Sequence, residues 1–109
     1  MVAPVYTGGC IYSVVGDLKL DWDAENIKHL ARHSVAPLEV EELFSRDPVF
    51  KDDEPVDGEE RFVAYGITAK GRLLTIAFTE RRNLIRPITG WDMTRQERKD
   101  YAPQILGGH

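Results

Sequence analysis

Residues Glu60–Trp91 read ERFVAYGITAKGRLLTIAFTERRNLIRPITGW, a pattern that predicts three strands separated by two short polar turns. The strands Arg61–Gly66, Arg72–Thr79 and Leu84–Trp91 are rich in β-branched and aromatic residues, which favour a pleated, half-buried surface. Connections this short join antiparallel neighbours, so we expect a meander. Pro87 has no N–H to donate, so the third strand is expected to lie at an edge or to contain a bulge.

One arginine occurs in each of these strands, near a strand end or turn. We expect Arg61, Arg72 and Arg86 to meet at one rim of the sheet. There they either pair with Glu60 and Glu80, or bind phosphate through the forked hydrogen bonds that guanidinium groups form well. The sequence leaves both interpretations open.

The residues before the meander predict two strands and two helices. The strands are Cys10–Val15 and Leu18–Trp22, joined by a two-residue hairpin loop and preceded by a loose arm at residues 1–9. Asp23 is expected to cap a helix over Ala24–Arg32, and Pro37 to begin a second helix that stops before residue 47.

The residues on either side of the meander are polar. The acidic segment Val49–Glu59 predicts a long, mobile connection. Thr94 opens a capping box for a third helix, which we expect to run through Tyr101 and to be stopped by Pro103, leaving residues 102–109 as a tail. The chain is therefore predicted to be a single α+β domain spanning residues 1–109.

Charge is divided unevenly along the chain. Residues 1–60 contain five Lys and Arg against fourteen Asp and Glu, whereas residues 61–109 contain nine against four. The basic half could present a face to RNA, or the two halves could mix in space and cancel. A lone cysteine, Cys10, and no apolar run long enough to span a bilayer favour a reducing, cytoplasmic setting without a membrane partner.

Two histidines share one helical face, since His29 and His33 are four residues apart. A metal site would need a third ligand that the sequence does not offer at a known spacing, so no metal and no other cofactor is expected. One histidine could instead stabilise the helix C-terminus, and His33 could carry a proton near neutral pH. Of the two tryptophans, Trp22 is expected in the core, and Trp91 could stack on a base.

Several short motifs, taken in order, resemble the BrnT family of toxins over roughly Leu18–Tyr101. The resemblance begins with Asp21-Trp22-Asp23 and Asn26 and continues through the segments His29–Val35, Leu43-Phe44, Glu59–Arg61, Gly66, Gly71–Leu74, Ile85-Arg86 and Thr94–Tyr101. It implies a RelE-like fold, a small antiparallel sheet with element order β-α-α-β-β-β-α, to which the first predicted strand would be an addition.

The resemblance also implies a function. It indicates a metal-independent endoribonuclease toxin with an RNA substrate, held in check by a ribbon-helix-helix, DNA-binding antitoxin that covers the basic half. The assembly would be either a homodimer or a toxin–antitoxin hetero-oligomer. The alternatives are a non-catalytic relative that retains only the surface for binding a partner, and a structural or regulatory module with no RNA role.

Site residues follow from the matched positions and from the chemistry of RNA cleavage. The expected catalytic residues are His33, Glu60, Arg61, Arg72 and Arg86. The expected RNA-binding residues are Arg32, Arg81, Arg82, Trp91, Arg98 and Tyr101. Two positions depart from the family pattern: Ser34 stands where the family has a glycine in a turn that favours φ > 0, and Trp91 stands where the family has an arginine.

Overall fold

The computed structural model of the protein describes residues 11–107, so the predictions for the arm at residues 1–9, for Cys10 and for residues 108–109 lie outside the described part. It is an α+β fold, as predicted. The elements in chain order are β1 (Ile11–Val15), β2 (Leu18–Trp22), α1 (Ala24–Ala31), α2 (Pro37–Ser45), β3 (Val49–Val56), β4 (Glu59–Ile67), β5 (Leu73–Arg81), β6 (Leu84–Asp92) and α3 (Arg95–Gly107).

Six strands form one sheet in the order β1-β2-β6-β5-β4-β3. Strands β4, β5 and β6 make the predicted antiparallel meander, and β1 and β2 make the predicted hairpin. The prediction of a wholly antiparallel sheet is wrong, because β2 and β6 are parallel, with Leu20 opposite Ile85. Short loops dictate antiparallel pairing only between consecutive strands, whereas two helices and three strands separate β2 from β6.

The hydrophobic core lies between one face of the sheet and helices α1 and α2. Leu30 of α1 and Leu43 of α2 are fully buried against this face. Gly66 and Gly90 allow the close approach, because a Cβ on Gly66 would come within 2.7 Å of the Leu43 side chain and one on Gly90 within 3.1 Å of Leu30. Trp22 is also fully buried, which confirms its predicted place in the core.

The prediction of a mobile acidic connection at Val49–Glu59 is wrong. Residues Val49–Val56 form strand β3, which pairs antiparallel with β4 at the edge of the sheet. Its side chains are almost all exposed, so its charges remain in water while its main chain pairs on one side. Exposed charge on an edge strand also hinders pairing with other chains, so a run of charged residues is compatible with a strand here.

Pro87 lies in an interior strand, because β6 has neighbours on both sides. Of the two alternatives predicted for this strand, the edge position is therefore wrong and the bulge is confirmed. Ala77 pairs with Thr89 and Phe78 with Pro87, so Ile88 is the extra residue on β6. The bulge lets a central strand accommodate a residue that cannot donate to the ladder.

The third helix is longer than predicted. Thr94 caps it, since the Glu97 N–H donates to Thr94 Oγ1 (3.1 Å) and the Thr94 N–H donates to Glu97 Oε1 (2.9 Å). It then runs to Gly107 with Pro103 inside it, so the predicted stop and tail are wrong. A proline removes one hydrogen bond and kinks a helix without having to end it. No helix within residues 11–107 is long and apolar enough to cross a membrane.

Candidate functional site

A cleft of about 410 Å³ lies beside the first half of β6 and brings three arginines together with a histidine. Its histidine and arginine side chains come from four elements: His29 from α1, Arg61 from β4, Arg81 from β5 and Arg86 from β6. Asp21, Asp23 and Glu25 supply carboxylates to the same cleft, and Asn26 and Ile88 complete its lining.

Arg86 lies at the centre of this cleft and is buried. It faces Thr79 across the strand pair, and its guanidinium contacts Asp23 at 2.9 Å and Asp21 at 3.5 Å. The ion pair with Asp21 ties β6 to β2 at the parallel junction. A buried guanidinium with two carboxylates is held in a fixed position.

The other two cleft arginines share one carboxylate. Arg81 donates to both oxygens of Glu59 at 2.9 and 3.2 Å, whereas Arg61 Nε lies 3.8 Å from Glu59. Within residues 11–107, the buried Nε of Arg61 has no hydrogen-bond partner. The Arg61 side chain as a whole is 22% exposed.

His29 reaches the cleft because Asn26 fixes the start of α1. Asp23 and Asn26 form a capping box, with the Asn26 N–H donating to Asp23 Oδ1 at 3.1 Å. The Asn26 amide also donates to the carbonyl oxygens of Asp21 (2.8 Å) and Pro87 (2.9 Å). Since His29 follows Asn26 by three residues, it shares the helical face that meets the bulge of β6.

The carboxylate of Asp23 is ionised at neutral pH. Burial opposes its ionisation, but hydrogen bonds from the Asn26 backbone and the positive charge of Arg86 outweigh this effect, so the pKa of Asp23 is lowered. One buried oxygen of Asp21, Oδ1, has no hydrogen-bond partner in the described part of the chain.

Arg72 lies at the other end of the sheet, so the prediction that three arginines meet at one rim is wrong. Arg72 pairs with Asp92, the last residue of β6, and Asp92 lies six residues beyond Arg86, roughly 20 Å along a strand. All three guanidinium nitrogens of Arg72 donate hydrogen bonds, to Asp92, to Glu39 and to main-chain carbonyls. Hydrogen bonds to Asp92, and to a smaller extent those to Glu39, raise the pKa of Arg72.

His33 is exposed beside Arg72, and it does not line the cleft that contains Arg61 and Arg86. Its carbonyl oxygen accepts from Arg72 Nη2 at 3.1 Å, and the carbonyl of Ser34 accepts from Nη1 at 2.6 Å. Ser34 has φ +57°, the left-handed conformation for which the family uses glycine. Arg72 therefore holds the turn between α1 and α2 in a conformation that serine adopts at some cost.

The predicted aromatic residues Trp91 and Tyr101 each take part in a contact between α3 and the sheet. The Trp91 indole N–H donates to Glu97 Oε1 at 3.1 Å, and the same oxygen accepts from Thr75 at 3.0 Å. The rings of Tyr65 and Tyr101 are stacked, with centroids 3.9 Å apart. Burial raises the pKa of Tyr65 to about 12, so that its hydroxyl stays protonated.

The remaining predicted residues are dispersed. Arg32 follows α1 and is exposed, and Arg82 lies in the β5–β6 turn with φ +53°. Arg98 donates to the carbonyl of Met93 at 3.1 Å. Glu60 is exposed in a neighbouring groove that also includes Arg61.

The cleft contains residues that the sequence did not assign to a site. His29 was expected only as one of a histidine pair with no assigned role, Asp21 as a strand residue and Asp23 as a cap. The period of the helix and strand patterns gives the face on which each residue lies, but the meeting of α1 with β6 depends on the parallel β2–β6 junction. No local pattern encodes that junction. Within residues 11–107, no group of three or more His, Cys, Asp or Glu side chains is arranged to hold a metal ion.

These features define a small α+β protein with an arginine-lined cleft at one end of a mixed sheet. The chain belongs to the BrnT family, described as the ribonuclease toxin of a type II toxin–antitoxin system, whose model matches residues 22–97, well over half of the chain. This confirms the resemblance read from the short motifs. A search of curated proteins found no match.

Proposed function

We propose that this chain is a metal-independent endoribonuclease toxin and that the cleft around Arg86 binds the scissile phosphate. One observation carries the proposal: His29, Arg61, Arg81 and Arg86 line the same cleft. The family is one of ribonuclease toxins, and RNA is the substrate that this family implies. A proton carrier next to several guanidinium groups is the set of groups that cleavage of RNA without a metal requires.

The reaction uses the 2′-hydroxyl of the RNA as its own nucleophile. A base takes the 2′-OH proton, the 2′-oxygen bonds to phosphorus, and the bond to the 5′-oxygen breaks as that oxygen receives a proton. His29 is the proton carrier in this assignment, since an imidazole titrates near neutral pH. Arg61 and Arg86 stabilise the negative charge that develops on the phosphorane oxygens. His33 and Arg72, assigned from the family pattern, are replaced in these roles.

The ion pairs in the cleft leave room for a phosphate. A guanidinium group has five N–H donors, and Arg86 contacts only two carboxylates. The pair between Arg81 and Glu59 is largely exposed, and such pairs contribute little and exchange readily. Arg61 lies 3.8 Å from Glu59, a longer contact than that of Arg81, and its side chain is 22% exposed. A phosphate can therefore be bound without removing the carboxylates that fix Arg86.

The partner in this proposal is a ribbon-helix-helix, DNA-binding antitoxin. A type II system pairs its toxin with an antitoxin, so a partner is implied by the family, and we propose that it blocks the cleft. We propose that toxin and antitoxin form a hetero-oligomer in the cytoplasm, where the RNA substrate is found. Arg32, Arg82 and Arg98 are cations outside the cleft that could guide the RNA strand toward it.

A non-catalytic, partner-binding protein is the second candidate. It is favoured by the charge balance of the cleft, where three arginines meet three carboxylates, and by the use of every Arg72 nitrogen in structural contacts. A cleavage assay separates the two candidates.

The assay measures cleavage of a single-stranded RNA in the presence of a chelator. We expect the wild type to cleave, and His29→Ala and Arg61→Ala each to slow cleavage at least tenfold, which corresponds to about 1.4 kcal/mol of barrier. The product should carry a 2′,3′-cyclic phosphate, because the 2′-oxygen replaces the 5′-oxygen at phosphorus.

His33→Ala is the matched control, since it removes the same kind of side chain about one helical turn further along the chain, just after α1. It should cleave at a rate within about twofold of the wild type. An inactive wild type would favour the non-catalytic candidate. Equal losses in the two histidine variants, or a loss only in His33→Ala, would contradict the assignment to His29.

A further inference from the structure

We propose that an apolar trough on the helix-bearing face of the sheet is the anchoring site of the antitoxin. The occupant is an amphipathic segment of that protein, whose apolar side chains fill the trough and whose flanking Lys and Arg residues meet an acidic border. The inference rests on the proposed function, because it takes the antitoxin as the partner.

The trough has a volume of about 460 Å³ and an apolar floor. The floor is formed by side chains from five strands: Leu18, Phe50, Phe62, Phe78 and Ile85. The rings of Phe50 and Phe78 have centroids 5.9 Å apart, and those of Phe62 and Phe78 lie 5.6 Å apart. A continuous aromatic floor of this size suits two or three apolar side chains of a helix or extended segment.

Helices α1 and α2 leave this part of the sheet uncovered. They pack over the other half of the same face, at Gly66 and Gly90. Phe44 of α2 packs against the trough residue Phe50, with their ring centroids 6.0 Å apart. Phe50 remains 51% exposed, an unusual state for a phenylalanine that is already in contact with a core cluster. Binding of an apolar partner would complete its burial.

The border of the trough is acidic. Asp52 and Glu80 line it, together with one cation, Lys51, and Glu60 lies in the adjoining groove. Among the described residues, Asp52, Glu60 and Glu80 take part in no ion pair within the chain. Their charge repels RNA phosphates and attracts Lys and Arg, so the trough fits a cationic protein segment rather than the substrate.

The trough and the cleft lie on opposite faces of the same strand ends. Consecutive residues point to opposite faces of a sheet. Thus Phe62, Glu80 and Ile85 line the trough, and their neighbours Arg61, Arg81 and Arg86 line the cleft. A partner anchored in the trough needs only to pass around the end of the sheet to cover the arginines. Affinity would come from the trough, and inhibition from the covering of the cleft.

The test uses the protein encoded by the adjacent reading frame and measures its Kd for the full chain by calorimetry. Phe50→Asp should weaken binding at least about 30-fold, as expected for the loss of a central aromatic anchor. The matched control is Leu38→Asp, which alters a side chain of similar exposure (54%) on α2 that does not line the trough. Leu38→Asp should stay within about threefold of the wild type.

A second variant tests the border without changing the core. Asp52→Lys together with Glu80→Lys should weaken binding, and the difference from the wild type should shrink at high salt. The proposal would be overturned if the Kd of Phe50→Asp stayed within about threefold of the wild-type Kd, or if Leu38→Asp lost as much affinity as Phe50→Asp. So would a wild-type dimer that Phe50→Asp dissociates in sedimentation, because the occupant would then be a second copy of this chain.

RNA cleavage by the free variants separates this proposal from the proposed function. Phe50→Asp lies outside the cleft, so it should cleave RNA like the wild type while escaping inhibition by the antitoxin. If the wild type cleaves RNA and the Phe50→Asp variant is inhibited normally, the trough is not the anchor, yet the ribonuclease assignment stands. If the wild type neither cleaves RNA nor binds the adjacent gene product, the proposed function itself is wrong.

Discussion

At the scale of the residue, Glu41 carries an ionisable group in the core. It is fully buried on α2, and neither carboxylate oxygen has a hydrogen-bond partner among the described residues. Burial raises its pKa, and the Ser13 hydroxyl, although outside hydrogen-bond geometry, offsets part of this effect. A buried carboxylate without a partner destabilises the folded state whenever it is charged.

Glu41→Gln should therefore raise the free energy of unfolding at pH 7 by roughly 1–3 kcal/mol. Because the folded pKa lies above the usual value of 4.5, the native state binds more protons than the unfolded state, and wild-type stability falls as the pH rises through this range. Urea unfolding of both proteins at several pH values measures the effect. A difference that does not shrink as the pH falls below about 4 would contradict it.

At the scale of the element, the packing of α2 on the sheet depends on Gly66. The close approach of the helix leaves no space for a methyl group at this position, since it would lie 2.7 Å from Leu43 Cγ and 3.2 Å from Pro48 Cβ. The contact therefore sets the distance between α2 and β4. Phe44 also belongs to α2, so this distance also affects its contact with Phe50, a residue of the trough.

Gly66→Ala should lower the free energy of unfolding by about 1–3 kcal/mol, the usual cost of overpacking a core. The urea midpoint should fall while the slope of the unfolding curve stays unchanged. Gly107→Ala is the control, because a methyl group there meets open space at the end of α3. Equal effects of the two changes would show that steric contact at Gly66 is not the cause.

The elements that the sequence predicted well are those defined by local pairing. The meander over β4, β5 and β6 and the hairpin of β1 and β2 follow from residue types and short turns. Strand β3 was missed because its side chains are exposed on an edge, so neither alternation nor apolar content marks it. The helix end at Pro103 was misplaced because a proline can be accommodated inside an exposed helix.

Part of the candidate site was also predicted correctly, because it too depends on local strand pairing. Arg61 and Arg86 lie in neighbouring parts of one antiparallel ladder, so strand register brings them into one cleft. His29 instead of His33 reaches that cleft because α1 leaves the sheet where β2 and β6 run parallel. That direction depends on the whole chain, which local patterns do not describe.

At the scale of the whole molecule, the two ends of the sheet have different roles. At the end near Asp92, Arg72 connects three parts of the fold. It bonds to main-chain carbonyls of the turn after α1, to Glu39 of α2 and to Asp92 of β6. At the other end, the cleft and the trough lie back to back on the same strands. In the proposed assignment, the substrate site and the partner site thus lie on the two faces of the same strands, far from the ion pairs of Arg72.

The central claim is that RNA phosphates bind beside His29 and not beside His33. The most direct measurement is an NMR titration of the imidazole signals of both histidines with a single-stranded oligonucleotide that lacks the 2′-hydroxyl. Such a strand keeps the phosphates but has no nucleophile, so binding is observed without cleavage. We expect the His29 ring signals to move with saturation while those of His33 stay in place, and Arg61→Ala to weaken the shift. Saturable movement of His33 with His29 unchanged would contradict the account.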